Sequence, residues 1–228
     1  QDQIKEDRRQ KAAKTLLSIR PSTELLKICE GEYPCEDLVK LKTTIDKLFA
    51  NGANIRTINH NSDPLICVAS ANGLLNVVKC LYDNGADIND SCCYTFDENE
   101  DENETINYNG YTALHNAAFH GHFEVVQYLI NNGADINNTF KGGGTALHEA
   151  IHLSDINTVR TLLENGANVN ALDPNNNTPL HECFSGSSLE VVIMLLEYGA
   201  DLTSKNKEDK TPFDLIEHFP IGFQDADE

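Results

Sequence analysis

Three histidines stand at a fixed interval in this chain: His115, His148 and His181 are 33 residues apart. A row of imidazoles suggests metal ligands first. A calcium loop is the next candidate, because Asp97, Asn99 and Asp101 match its first, third and fifth positions. The required turn glycine is Glu102 here and the bidentate glutamate is Tyr108, so no calcium site is expected. Gly142-Gly143-Gly144 has the flexibility of a phosphate loop but not the Lys-Ser/Thr that grips a nucleotide, and reads as a turn. The nucleophile elbow G-x-S-x-G does not occur. His120-Gly121-His122 is too small a set for a metal. The seven cysteines are odd in number and show no C-x-x-C spacing. Cys67, Cys80 and Cys183 fall within apolar helical patterns, as reduced thiols serving as core residues would. The reading is a chain with no catalysis, no cofactor and no metal.

The elements that position these residues are found by period. Gly-Ala followed by Asn or Asp recurs at Gly52, Gly85, Gly133, Gly166 and Gly199, at intervals of 33, 48, 33 and 33. One period with a single insertion of fifteen residues explains the series. Thr112-Ala113-Leu114-His115, Thr145-Ala146-Leu147-His148, Thr178-Pro179-Leu180-His181 and Thr211-Pro212-Phe213-Asp214 keep the same phase. Threonine suits a helix N-cap and proline the first helical position. Small residues such as Ala117 and Ala118 let helices approach closely. A second helix follows, with Phe123, Val126, Leu129 and Ile130, or Leu189, Val192, Leu195 and Leu196, on one face. Glycine ends it in a left-handed cap, and Asn, Asp and Gly then form a hairpin to the next threonine.

These motifs together resemble the ankyrin-repeat family, over about Leu25 to Phe219. The resemblance implies an all-α repeat solenoid of stacked helix-turn-helix pairs with protruding β-hairpins, whose concave side of hairpin tips and first helices binds other proteins. It also implies that His115, His148 and His181 hold their turns by hydrogen bonds. Helices of successive repeats lie about a nanometre apart, whereas zinc needs its ligands at ~2 Å, so a metal ladder is rejected. Asn89, Asn137 and Asn170 take the hairpin position that an oxygen-sensing hydroxylase modifies in some family members.

The expected organisation is a helical capping segment at 1–20, a repeat domain at 21–220 and an acidic tail at 221–228. Repeats fall at 21–59, 60–107 (with the insertion at 91–106), 108–140, 141–173 and 174–206, with a partial one at 207–220. The second repeat has Asp63-Pro64-Leu65-Ile66 for the threonine motif. Alignment without gaps places Pro64 at the threonine, alignment on Pro-Leu adds a residue to the helix, and both stay open. The first repeat has no such motif, and its first helix is expected within Ser22 to Cys29.

The net charge of −19 is unevenly spread. Residues 1–50 hold ten basic and nine acidic side chains, while 51–228 hold seven and twenty-seven. Such a surface repels nucleic acid and anionic lipid and attracts basic protein segments; the plain alternative is that the charge serves solubility. The longest apolar run, Val191 to Leu196, is too short for a membrane span. Within the insertion, six of the eight residues Asp97 to Glu104 are acidic, which predicts a mobile surface loop or an acidic flap beside the binding face. The expected location is intracellular, cytoplasmic or nuclear, and the expected state monomeric.

The resemblance carries partner contacts onto the residue before each threonine and the middle of each first helix. In the third repeat these are Asn109, Tyr111, Asn116, Phe119 and His120. In the fourth they are Glu149, His152 and Leu153, and in the fifth Asn175, Asn177, Glu182 and Ser185. Tyr111, Phe119 and Leu153 are expected to anchor an apolar group, with Tyr111 and Phe119 exposed for the purpose. Packing of Tyr111 on its neighbouring hairpin, with Phe119 folded down between repeats, is the competing reading. Glu149 and Glu182 are expected to pair with two basic residues. The expected function is a protein-interaction module that takes a basic segment with an apolar anchor; the alternative is a regulatory or targeting domain of a larger enzyme.

Overall fold

The computed structural model describes residues 21–32, 38–92, 95–97, 105–107, 109–183 and 188–218. The capping segment at 1–20, the core of the acidic stretch at 98–104 and the tail at 221–228 lie outside the described residues.

The architecture is a stack of antiparallel helix pairs. A helix at 21–29 (α1) is followed by α2 (Leu38–Ala50). The next pairs are α3 (Leu65–Ala71) with α4 (Leu75–Asp83), and α5 (Ala113–Phe119) with α6 (Phe123–Asn131). Then come α7 (Ala146–Leu153) with α8 (Ile156–Glu164), and α9 (Pro179–Glu182) with α10 (Leu189–Glu197). A 3-10 helix at Phe213–His218 closes the described chain. First helices pack in one row, α3 on α5 on α7 on α9, and second helices in another, α4 on α6 on α8 on α10.

Each level of the stack is set by the same few residues. Ile66, Leu114, Leu147 and Leu180 are buried at the second position of successive first helices, with Ala117, Ala118 and Ala150 keeping the row close. Burying one leucine is worth about 1.5–3 kcal/mol. At the threonine motif, the Nδ1 of His115, His148 and His181 accepts the N–H of Thr112, Thr145 and Thr178 at 3.1, 3.0 and 3.0 Å. The imidazole thus ties down the residue that starts its own helix. The Nε2 of His148 and of His181 reaches the carbonyls of Asn177 and Lys210 in the next hairpin at 3.3 and 3.2 Å, so these two histidines are struts between repeats.

In the last motif Asp214 stands for histidine and accepts from the Thr211 N–H at 2.8 Å. In the second repeat Pro64 occupies the N-cap of α3, in line with the gap-free alignment. Proline has no N–H to tie down, so no histidine is needed there.

Second helices end on Gly52, Gly85, Gly133, Gly166 and Gly199, with φ between 88° and 91°. The following alanine N–H turns back to the helix, as in Ala134 to the Leu129 carbonyl at 3.0 Å. Only glycine takes that φ without strain. An asparagine ladder then links repeats. Asn137 accepts from the Asn168 N–H at 2.8 Å and donates to the Gly166 carbonyl at 3.4 Å. Asn89 and Asn170 repeat the pattern with Asp135 and Gly133, and with Asp201 and Gly199.

The stripe read from sequence on the second helices is corrected. Phe123 and Leu189 are exposed, and the buried face is Val125, Val126 and Leu129 in α6 and Val191, Met194 and Leu195 in α10. Phe123 and Leu189 are the first residues of their helices.

The insertion begins as paired backbone. β1 (Ser91–Cys92) pairs antiparallel with β4 (Tyr111–Thr112), and β2 (Thr95–Asp97) with β3 (Thr105–Asn107). The described extra residues at 95–97 and 105–107 therefore extend the hairpin between the second and third repeats. Cys29, Cys67, Cys80, Cys92 and Cys183 are buried free thiols. Burial pushes Cys29 up to about 12, and a hydrogen bond with Cys92, then burial, raises Cys67.

Candidate protein-interaction surface

The residues expected to bind a partner come together at the third, fourth and fifth repeats. The hairpin between the third and fourth repeats shapes their surroundings. In the neighbouring hairpins an Asx side chain folds the turn. Asn59 Oδ1 accepts from Asn61 and Asp63, Asp173 Oδ1 from Asn175 and Asn177, and Asn206 Oδ1 from Glu208 and Lys210. The residue in register in the third hairpin is Phe140, which cannot cap a turn.

Its ring instead turns inward and is buried. It meets Tyr111 edge-on at 4.8 Å and His115 at 5.5 Å between ring centres. Gly143 and Gly144 make room: a Cβ on Gly143 would collide with the Phe140 ring, and one on Gly144 with the His148 ring. Gly143 is thus a steric requirement of the inward Phe140 ring, and Gly144 of the His148 ring, rather than parts of a merely flexible turn. Ser62, Asn176 and Asp209, which stand in register with Gly143, have φ of 61° to 68°, and Gly143 is not left-handed.

Tyr111 is consequently buried, at 5% exposure, which corrects its expected role as an exposed anchor. It packs on the neighbouring hairpin through Phe140 and on His115 at 5.1 Å. Its hydroxyl donates to Glu149 Oε2 at 3.1 Å. Burial, opposed by that bond, pushes the Glu149 carboxyl up to about 7. Glu182, one repeat on, is also raised, first by burial. Its Oε2 lies 3.8 Å from His152 Nε2. Burial lowers His115 to about 4 and lowers His148 as well, which favours the neutral ring in both.

A cavity of about 400 Å³ opens at this place. Tyr111, Phe140 and the glycine turn form one wall, and Asn116 and Phe119 on α5 another. Glu149, Glu182 and Asp173 supply its carboxylates. Beside it Phe119, His120, His152 and Leu153 line a second, apolar hollow. Phe119 is 44% exposed and Leu153 52%. Phe119 touches only the edge of the His120 ring among the ring contacts of the described residues, at 5.1 Å.

The remaining expected contacts divide. Asn116 is half-buried and its amide donates to the Thr112 carbonyl at 3.3 Å. His120 is exposed, with Nδ1 at 3.0 Å from the Asn116 carbonyl. Asn109 and Asn175 are exposed on hairpins, and their carbonyls accept from Lys141 and Lys207 of the next hairpins, both at 2.9 Å. Asn177 is engaged structurally: it donates to Asp173 at 3.0 Å and accepts from Asn206 at 2.9 Å. Ser185 lies outside the described residues. Asn89, Asn137 and Asn170 have both amide atoms engaged in the ladder. The sequence pattern did not flag Phe140 or Asp173; register of the hairpins, with Phe140 facing Asn59, Asp173 and Asn206, is the signal that finds them.

Among the described residues, no three His, Cys, Asp or Glu side chains converge as a metal site. No described helix is long and apolar enough to cross a membrane.

Gly-capped helix pairs, threonine-histidine struts and hairpins at a fixed period define a helical repeat solenoid. The family model for ankyrin repeats matches in three copies, at residues 39–140, 89–173 and 138–206, and the chain belongs to the ankyrin-repeat family. A search of curated proteins finds no match. Membership makes the chain a protein-interaction module in general character.

Proposed function

We propose that the hairpins and first helices of the third to fifth repeats bind a partner segment that is basic and carries an apolar anchor, and that the chain acts by this binding alone. The observation that carries the reading is the adjacency of two unlike surfaces. Phe119 and Leu153 lie open beside each other along the apolar hollow, next to a cavity walled by Glu149, Glu182 and Asp173. An apolar group on the first and a cation in the second would bury the exposed area and place a positive charge against Glu149 and Glu182. With Tyr111 buried, the anchor contact falls to Phe119 and Leu153. The charge of −19 adds long-range attraction for a basic partner. Five of the cysteines are buried as reduced thiols, which supports a reducing compartment as the place of action.

The test is affinity capture from cell extract with wild type and a Phe119→Ala/Leu153→Ala variant, at low and high salt. Both side chains are exposed, so the fold should survive. The reading expects a partner that is lost by the variant and weakened by salt. A captured set indifferent to the double substitution contradicts the surface; salt-independent capture contradicts the basic character of the partner.

A further inference from the structure

We infer that the cavity beneath the third hairpin receives a single arginine side chain of the partner, with Glu149 and Glu182 converging on the one guanidinium. This rests on the groove reading above and goes beyond it, since two separate basic contacts give way to one.

Three observations carry it. Glu149 and Glu182 come from successive repeats yet line the same cavity, which also holds Asp173 on its rim. No lysine or arginine of the chain is among the described residues lining it. One Glu149 oxygen is already held by the Tyr111 hydroxyl, itself fixed by Phe140, so the carboxylate is oriented before any ligand arrives. An ammonium is a point charge that serves one carboxylate well. A planar guanidinium has five donors in a fixed fork and serves carboxylates on two sides. It also stacks on flat rings, and Phe119 and His120 stand at the cavity wall. The apolar hollow along Phe119 and Leu153 is then the bed for the arginine stem and the residue beside it.

A cation held here must face a deprotonated Glu149. The groups around that carboxyl are Tyr111 from β4, Glu182 from α9, Asp173 from the next hairpin, and His148 and His152 from α7. Burial keeps the free Glu149 protonated up to about 7. Binding therefore releases a proton, and affinity should rise about tenfold between pH 6 and pH 8.

The test selects binders from an unbiased displayed peptide library on wild-type protein. The selected peptides are then measured against E149Q, E182Q and the Phe119→Ala/Leu153→Ala variant. Glutamine at 149 keeps an acceptor for Tyr111, so folding is preserved and checked by melting. The expected result is an enriched arginine whose replacement by citrulline costs tenfold or more. E149Q should cost about the same and flatten the pH dependence. Peptides that need Phe119 and Leu153 but carry no arginine, take lysine equally well, or bind E149Q unchanged with the same pH profile overturn the arginine pocket while leaving the groove. Peptides indifferent to Phe119, Leu153 and Glu149 alike overturn both.

Discussion

Glu149 is the residue at which fold and binding meet. Its carboxyl is pushed up to about 7 by burial, from an ordinary 4.5. A carboxyl whose folded pKa is raised binds its proton more tightly in the folded state. That contribution to stability is complete below pH 4.5, shrinks as pH rises, and is gone above 7. The loss is on the order of 3 kcal/mol. E149Q removes it, so this variant should melt several degrees above wild type at pH 8 and close to wild type at pH 4.5. Equal shifts at both pH values would mean that Glu149 keeps its charge in the fold. His115 works in the opposite direction. Burial lowers it to about 4, so it must protonate on unfolding below pH 6.5, and stability falls from there toward pH 4. The two trends offset one another in wild type, and E149Q should expose the acid lability of the histidine struts.

The third hairpin shows the same economy at the scale of an element. Its neighbours are folded by Asn59, Asp173 and Asn206, and it is folded by an aromatic ring. Gly143→Ala would drive a methyl into Phe140. It should cost roughly 1–3 kcal/mol by overpacking and loosen Tyr111 from Glu149. The equivalent change at Asn176, which is exposed with a left-handed φ of 61°, touches no packed ring and should leave the cavity alone. Thermal melts and the pH profile of peptide binding would separate the two; equal effects would mean that Phe140 is not held by its glycines. The ladder is tested by Asn137→Ala, which removes two inter-repeat hydrogen bonds and should cost about 1–2 kcal/mol on typical net values. An unchanged melt would reduce the ladder to decoration. Period, caps and helix pairs were legible from Thr145, His148 and Gly166 because each has a local mechanism that spacing reveals. The inward Phe140 and buried Tyr111 were not, because burial depends on what a neighbouring repeat leaves room for. Phe123 misled for a related reason: helical phase is visible in the sequence, but what covers a first-turn residue is not.

At the scale of the whole molecule the array is a one-dimensional stack in which each repeat touches its neighbours. Changes in one hairpin therefore act on the adjoining repeats and fade beyond them. This is why the candidate surface can be built from three consecutive repeats. It also separates two faces: first helices and hairpins on one side, and second helices such as α10, with Ile193 exposed, on the other. The central claim is that the partner engages the first of these faces. The most direct measurement places a photocrosslinking amino acid at position 119 or at position 193 and irradiates the protein in cell extract. The account predicts a discrete crosslinked partner from position 119, absent from position 193 and suppressed by high salt. Crosslinking from 193 alone would contradict it.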